Sequence, residues 1–329
     1  MRKLLVLFLL FLAAALVILS FSELRTLMET IRHGDLRYLL LGVLLEGCFI
    51  VLEGMVFWSL YRLLGLDDSA GRLILVAAAA NFISIVAPSV GIGWVAIWLD
   101  HGRRNRQPAA KITVAVTLFL FLDYAAFLVI LALGFIVLIR RQNLQWGEVT
   151  AAAILLSVAV GLGSLLYLGY RSSEQLGKWL MRLARLINAL LRPFLHRSYL
   201  NEERALTFAS EIKEGLHALS RPARLLLPFS LALLMKFILI GILMSTFLAF
   251  SVPFSAGTLI GGFAIGYLFL VVSPTPSGVG FVEGAMALSL NSLHVDWSQA
   301  VLLTLVYRGL TFWLPLGFGA LVFRKLHWE

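Results

Sequence analysis

Apolar residues run along this chain in long unbroken blocks rather than in the alternating or helical stripes of half-buried elements. The runs Leu4 to Ser20, Tyr38 to Tyr61, Ile112 to Ile139, Val149 to Tyr170, Leu225 to Phe250 and Val301 to Phe323 are each close to, or longer than, the roughly 20 residues that carry a helix across the hydrocarbon core of a bilayer. The first run follows Arg2 and Lys3 and fits either a span or the apolar part of a secretory signal. It lacks a clear small-x-small cleavage site, and we take it as a span.

Two more apolar stretches, Leu73 to Leu99 and Thr258 to Leu293, are broken midway by Pro88-Ser89-Val90-Gly91-Ile92-Gly93 and by Pro274-Thr275-Pro276-Ser277-Gly278-Val279-Gly280. Proline and glycine at that density end a helix. Each stretch is then a kinked span or a re-entrant hairpin whose irregular backbone is buried in protein or lines a wet cavity. Basic residues choose between the two, because they collect on the cytoplasmic side. With a cytoplasmic amino terminus, one crossing over Leu73 to Leu99 would put Arg103, Arg104, Arg106 and Lys111 outside, together with the basic loop Arg171 to Arg224. A hairpin returns both segments to the cytoplasm and leaves only Arg140 and Arg141 outside. The same treatment of Thr258 to Leu293 brings Arg324 and Lys325 inside.

The expected architecture is an all-α, polytopic membrane protein with about six transmembrane helices and two re-entrant helical hairpins, both termini being cytoplasmic, in the cell inner (plasma) membrane. The breaks share a pattern, Pro88-Ser89-Val90-Gly91-Ile92-Gly93 against Pro276-Ser277-Gly278-Val279-Gly280. Their hairpins enter from opposite sides. A single membrane domain over 1–329 is therefore expected, with 1–141 and 149–323 as inverted repeats, a plan that places transporter sites near the midplane where broken helices meet.

Composition narrows the function. Sixty percent of the residues are apolar and 14% charged, against about 25% charged in an ordinary soluble domain, which excludes a water-soluble globule. The excess of basic residues, 27 against 18 acidic, is concentrated in the loop 171–224. There Lys178, Arg182, Arg185 and Arg192 recur at helical spacing after a Ser172-x-x-Gln175 capping box, which reads as a basic amphipathic helix on an anionic leaflet. A second helix from Glu202 to Leu219 is expected to cover it. Nucleic acid is not an expected partner, since the basic residues alternate with membrane-type apolar ones. The lone Cys48 excludes an intrachain disulfide, the six histidines are scattered, and no P-loop, HExxH or GxSxG motif occurs. No metal or cofactor is expected.

Ionisable residues inside the apolar segments cost about 2.5 to 3.5 kcal/mol each at a helix centre, so each needs a partner, water or a role. They are Glu46, Glu53, Asp123, Lys236, Glu283 and Arg308. Glu46 and Glu53 lie two turns apart on one helix face. Asp123 and Arg308 occupy the spans that follow the two hairpins, so an ion pair between them is expected across the repeat interface. Lys236 and Arg308 are the candidates for an anionic head group, guanidinium through parallel hydrogen bonds and ammonium as a point charge. The half-helix that starts near Gly280 adds free amides and the positive end of its dipole. Glu283, in its first turn, either complements that dipole or holds the break closed.

At Pro276-Ser277-Gly278-Val279-Gly280-Phe281-Val282-Glu283 and at Tyr307-Arg308-Gly309-Leu310-Thr311-Phe312-Trp313-Leu314-Pro315-Leu316 the chain resembles the lysylphosphatidylglycerol synthase transmembrane family, which includes flippase-like proteins. The resemblance implies lipid movement between leaflets, with Pro276, Gly278, Gly280, Glu283 and Arg308 as matched positions. Ser277 stands where many members have glycine, and Trp94 follows the first break where members often carry an acid and an arginine. The soluble aminoacyl-transfer domain of two-part members has no counterpart in these residues, so lysyl transfer is not expected of them.

The function expected is non-enzymatic: a flippase for a phosphate-bearing lipid, either a glycerophospholipid or a polyprenyl-phosphate-linked one, with membrane lipids as partners and a homo-oligomer left open. Its substrate-binding set is Glu46, Glu53, Asp123, Lys236, Pro276, Ser277, Gly278, Gly280, Glu283 and Arg308. The alternatives are an intramembrane lipid-modifying enzyme that uses Glu46, Glu53 and Asp123 as acids and bases, and a non-transporting subunit of a lipid synthase.

Overall fold

The computed structural model describes residues 34–86, 92–141, 146–172, 222–273 and 275–317, with 319 and a few residues of the 173–213 loop. Among them the main elements are α1 (Leu36–Leu63), α2 (Ala70–Val86), α3 (Ile92–Arg104), α4 (Ala109–Arg140), α5 (Trp146–Arg171), α6 (Leu226–Ala249), α7 (Ala256–Val272), α8 (Phe281–Ser292) and α9 (Trp297–Arg308), the last continued by a π-helical turn at Gly309–Trp313. Five of these are long and apolar enough to cross a membrane: α1, α4, α5, α6 and α9 with its continuation. The protein is therefore all-α, membrane-embedded and multi-pass. The span expected at 4–20 lies outside the described residues, as do the first break itself and most of both helices expected in the basic loop. At the start of that loop the Gln175 amide donates to Ser172 Oγ at 3.2 Å, the cap expected there.

Both interrupted stretches fold as pairs of short helices packed on each other. α2 and α7 have 17 residues each, α3 has 13 and α8 has 12; at 1.5 Å per residue the longest reaches about 25 Å, short of a bilayer core of about 30 Å. The outer ends of each pair are tied together. At the first pair Asp68 Oδ2 stands 2.7 Å from His101 Nε2, and Gln107 Nε2 donates to the Asp67 carbonyl at 3.2 Å. At the second, one guanidinium serves both ends, Arg141 donating to the Leu293 carbonyl at 3.2 Å and to Ser255 Oγ at 3.3 Å. The first closure lies just before α4 and the second just after it, and α4, with 32 residues, is about 48 Å long. The two pairs thus open at opposite ends of α4. Their inner ends meet, with Ser277 Oγ donating to the Ser84 carbonyl at 3.4 Å.

In a bilayer, helices gain little from apolar burial against one another, and association depends on close packing at small residues. A Cβ at Gly54 of α1 would stand 2.6 Å from Ile74 Cα on α2, and one at Gly134 of α4 would stand 2.6 Å from Ala264 Cβ on α7. These two glycines seat the two pairs on the long helices. α1 and α6 run antiparallel, the Asp35 amide donating to the Ala249 carbonyl at 2.8 Å. Phe57 of α1 stacks on Trp98 of α3 with ring centroids 3.5 Å apart and on Phe119 of α4 at 4.7 Å, which locks α3 between two spans.

Candidate functional site

The second break explains its own sequence. Ser277, Gly278 and Gly280 have φ of 51°, 72° and 83°, the left-handed region that glycine enters without a steric penalty. A Cβ at Gly278 would also lie 2.5 Å from Val282 Cγ2. Ser277 holds this conformation with a side chain, and its turned carbonyl accepts from Arg308 Nη2 at 2.9 Å. α8 then starts at Phe281. Its first-turn Glu283 accepts the Gly280 amide at 2.7 Å through Oε2 and Arg308 Nε at 2.6 Å through Oε1. One carboxylate thus caps the half-helix and pairs with the guanidinium of α9.

Arg308 is 6% exposed and lies with its guanidinium 4.8 Å from the ring centre of Phe312 in the π-helical turn. Of the five N–H donors of a guanidinium, one goes to Glu283 and one to Ser277; three remain without a partner among the described residues.

The ion pair expected between Asp123 and Arg308 does not form. Asp123 accepts from Lys236 Nζ at 2.6 Å, while Lys236 also donates to Tyr267 OH at 2.6 Å and Tyr267 donates to Asp123 Oδ2 at 3.2 Å. The rotation of α4 turns Asp123 toward α6 and α7, out of reach of the guanidinium that Glu283 already holds. Lys236 is fully buried and engaged by both partners, whereas Asp123 and Tyr267 reach a cavity. Glu53 is held by neutral donors from both helices of the first pair, Asn81 Nδ2 at 2.6 Å and Trp94 Nε1 at 3.0 Å. Trp94, which follows the first break, thus meets Glu53 through a neutral donor.

A cavity of about 360 Å³ opens between the inner ends of the two pairs, lined among others by Glu46, Ser84, Asp123, Ser277, Tyr307 and Arg308. Glu46 shares its helix with Glu53 but differs in kind. It is 2% exposed, and its Oε2 has no hydrogen-bond partner among the described residues. Of the positions singled out from sequence, Glu46, Asp123, Ser277 and Arg308 border this cavity. Glu283, Gly278 and Gly280 shape the turn behind it, with Pro276 opening that turn. Glu53 and Lys236 sit in the packing beside it. Sequence reasoning gave no role to Asn81, Tyr267 or Tyr307; the first two show only as a polar group inside an apolar run, and Tyr307 only as the residue before Arg308 in its motif. Among the described residues no group of three or more His, Cys, Asp or Glu is placed to hold a metal ion.

The chain was compared with known proteins. A search of the curated proteins found no match. One family matches residues 4–319, nearly the whole chain, including both helix pairs and the arginine-bearing last span. The protein belongs to the family described as the lysylphosphatidylglycerol synthase TM region.

Proposed function

We propose that this protein moves a phosphate-bearing lipid between leaflets, with the phosphate on Arg308 and the acyl or prenyl tails left in the bilayer. The observation that carries the proposal is a buried arginine with uncommitted N–H donors at a cavity between two broken helix pairs. Guanidinium is suited to phosphate because its fork matches two oxygens at once. The cavity volume falls at the lower end of the roughly 300 to 1,000 Å³ of small-molecule sites, which suits a head group rather than a whole lipid. Glu283 fixes the arginine without consuming its fork, and the left-handed Ser277 turn opens the backbone toward it.

Residues 1–141 and 149–323 form inverted repeats in this proposal, the helix pairs being re-entrant hairpins entered from opposite faces, the termini cytoplasmic and the membrane the inner one. Closure of the pairs at opposite ends of α4 supports the arrangement. So does Arg141. It is one of the two arginines that the charge rule leaves outside, and here it ties the second pair together.

Purified protein in liposomes, given labelled glycerophospholipids and polyprenyl phosphates, is expected to move one of these classes between leaflets without changing its mass. A changed mass would instead identify an enzyme, and no movement of any lipid would overturn translocation. For topology, Asn105→Cys and His294→Cys in a Cys48→Ser background are expected to react with an impermeant thiol reagent from the cytoplasmic and outer sides respectively. Reaction of both from one side would end the inverted arrangement.

A further inference from the structure

The cavity holds one acid that the packing leaves unanswered. The six membrane-embedded ionisable residues comprise two cations and four carboxylates. Arg308 is matched by Glu283, and Lys236 by Asp123. Glu53 has two neutral donors. Glu46 has the same burial as Glu53, yet its Oε2 has no partner among the described residues, and it lines the same cavity as Arg308. Burying an ionised carboxylate without a partner carries a cost large enough that such groups acquire a cation or a proton.

The surroundings favour a proton. A metal cation would need several oxygen ligands, and among the described residues no group of three or more His, Cys, Asp or Glu is placed to hold one. The charged groups facing Glu46 are Glu53 on its own helix, Asp123 on α4 with Lys236 of α6 behind it, and Arg308 on α9. The phenols are those of Tyr124 on α4, Tyr267 on α7 and Tyr307 on α9, the last interacting electrostatically with Glu46. α2 contributes Asn81 and Ser84, neither of which titrates. Each of the two cations already faces a carboxylate of its own, Lys236 that of Asp123 and Arg308 that of Glu283.

We propose that Glu46 is a proton-exchange site that couples lipid passage to a proton gradient. The proposal rests on the translocation reading above. A phosphate entering beside Arg308 brings negative charge into a cavity that already has a carboxylate excess. One proton from the aqueous phase on the entry side binds a Glu46 oxygen, converting carboxylate to carboxylic acid and removing one negative charge. When the head group leaves on the other side, the O–H bond breaks and the proton returns to water there. No other bond changes. The result is symport of one proton with each phosphate-bearing head group.

The test uses the full chain in liposomes with labelled polyprenyl phosphate or anionic glycerophospholipid, an imposed pH gradient and the membrane potential clamped. In wild type, a one-unit gradient is expected to shift the steady-state leaflet ratio by up to about tenfold, the limit for one proton per lipid. Glu46→Gln, which fixes the uncharged form, is expected to lose the gradient response, its leaflet ratio staying the same with and without the pH difference at whatever rate it moves lipid. Glu46→Asp, which keeps a carboxyl, is expected to restore the response. Infrared spectroscopy supplies an independent reading: a protonated-carboxyl band that declines as pH is raised in wild type and is missing in Glu46→Gln. Lipid movement by wild type that ignores the gradient, or a gradient response that survives Glu46→Gln, overturns the coupling alone. Failure of wild type to move any lipid overturns translocation and coupling together, while the infrared band still decides whether Glu46 exchanges protons.

Discussion

The α2–α3 pair and the α7–α8 pair each meet a glutamate near their inner ends, Glu53 buried and Glu283 half-buried, and the two are treated in opposite ways. In the first, the long helix α1 supplies Glu53, and the short helices answer with the neutral donors of Asn81 and Trp94. In the second, the short helix α8 supplies Glu283, and the long helix α9 answers with Arg308. Neutral donors finish the first contact: both Glu53 oxygens are taken, and the residue is not in the lining of the cavity that Arg308 borders. A guanidinium leaves the second unfinished, because it has more donors than Glu283 and Ser277 use. The comparison teaches that a membrane-buried acid can be a rivet or a hinge-side support for a binding group, depending on whether its partner has valence left over.

A third buried contact sets the scale, and breaking it is expected to cost most. Lys236→Ala leaves Asp123 buried with only Tyr267, and the thermal stability of the detergent-solubilised protein is expected to fall by about 3 to 5 kcal/mol. Lys236→Met combined with Asp123→Leu is expected to regain most of that loss. If the double variant is no more stable than Lys236→Ala, Lys236 and Asp123 do more than neutralise each other.

Glu53→Ala strips the acceptor from the buried Trp94 and the half-buried Asn81, a buried donor costing about 1 to 3 kcal/mol when left unmet and a half-buried one less. A loss of about 2 to 4 kcal/mol is therefore expected by thermal unfolding, and Glu53→Gln, which retains one acceptor oxygen, is expected to lose less. Arg308→Lys is expected to behave differently. An ammonium can still reach Glu283, so stability should change by only about 1 kcal/mol, while loss of the fork should slow lipid movement at least about tenfold. If Arg308→Lys instead destabilises as much as Glu53→Ala and leaves transport intact, both glutamate contacts are rivets and the distinction fails.

The smallest expected differences come from close-packed glycines, Gly54 between α1 and α2 and Gly262 between α7 and α8. Gly54→Ala pushes a Cβ against the backbone of Ile74, 2.6 Å from its Cα, and backbone yields only by moving a helix; about 2 kcal/mol is expected. Gly262→Ala meets only the side chain of Leu290, which can rotate, and about 1 kcal/mol is expected. Equal losses in thermal unfolding would mean that the contact of α1 with α2 is no more rigid than the contact within the α7–α8 pair.

Hydropathy and helix breakers were sufficient for much of the fold. The five described spans, the second interruption and the start of α8 beside Gly280 follow from chemistry that acts within one helix: apolar length against bilayer thickness, a missing amide at proline and positive φ at glycine. The residues needing an explanation were also legible, since any ionisable group in hydrocarbon carries a cost that sequence reveals at once. Their partners were not. Asp123 lies 113 residues from Lys236 in the chain, and Glu283 lies 25 from Arg308; which acid meets which base depends on the rotation of each helix about its axis. A turn of a few tens of degrees moves a carboxylate from one neighbour to the next, and that rotation is set by where Gly54, Gly134 and the Phe57–Trp98 stack allow helices to approach. Sequence therefore determined the inventory of buried charge and the places where helices end. Only tertiary packing decided that Lys236 would be consumed inside the protein, that Arg308 would keep donors to spare, and that Glu46 alone among the six would face the cavity with an unanswered oxygen.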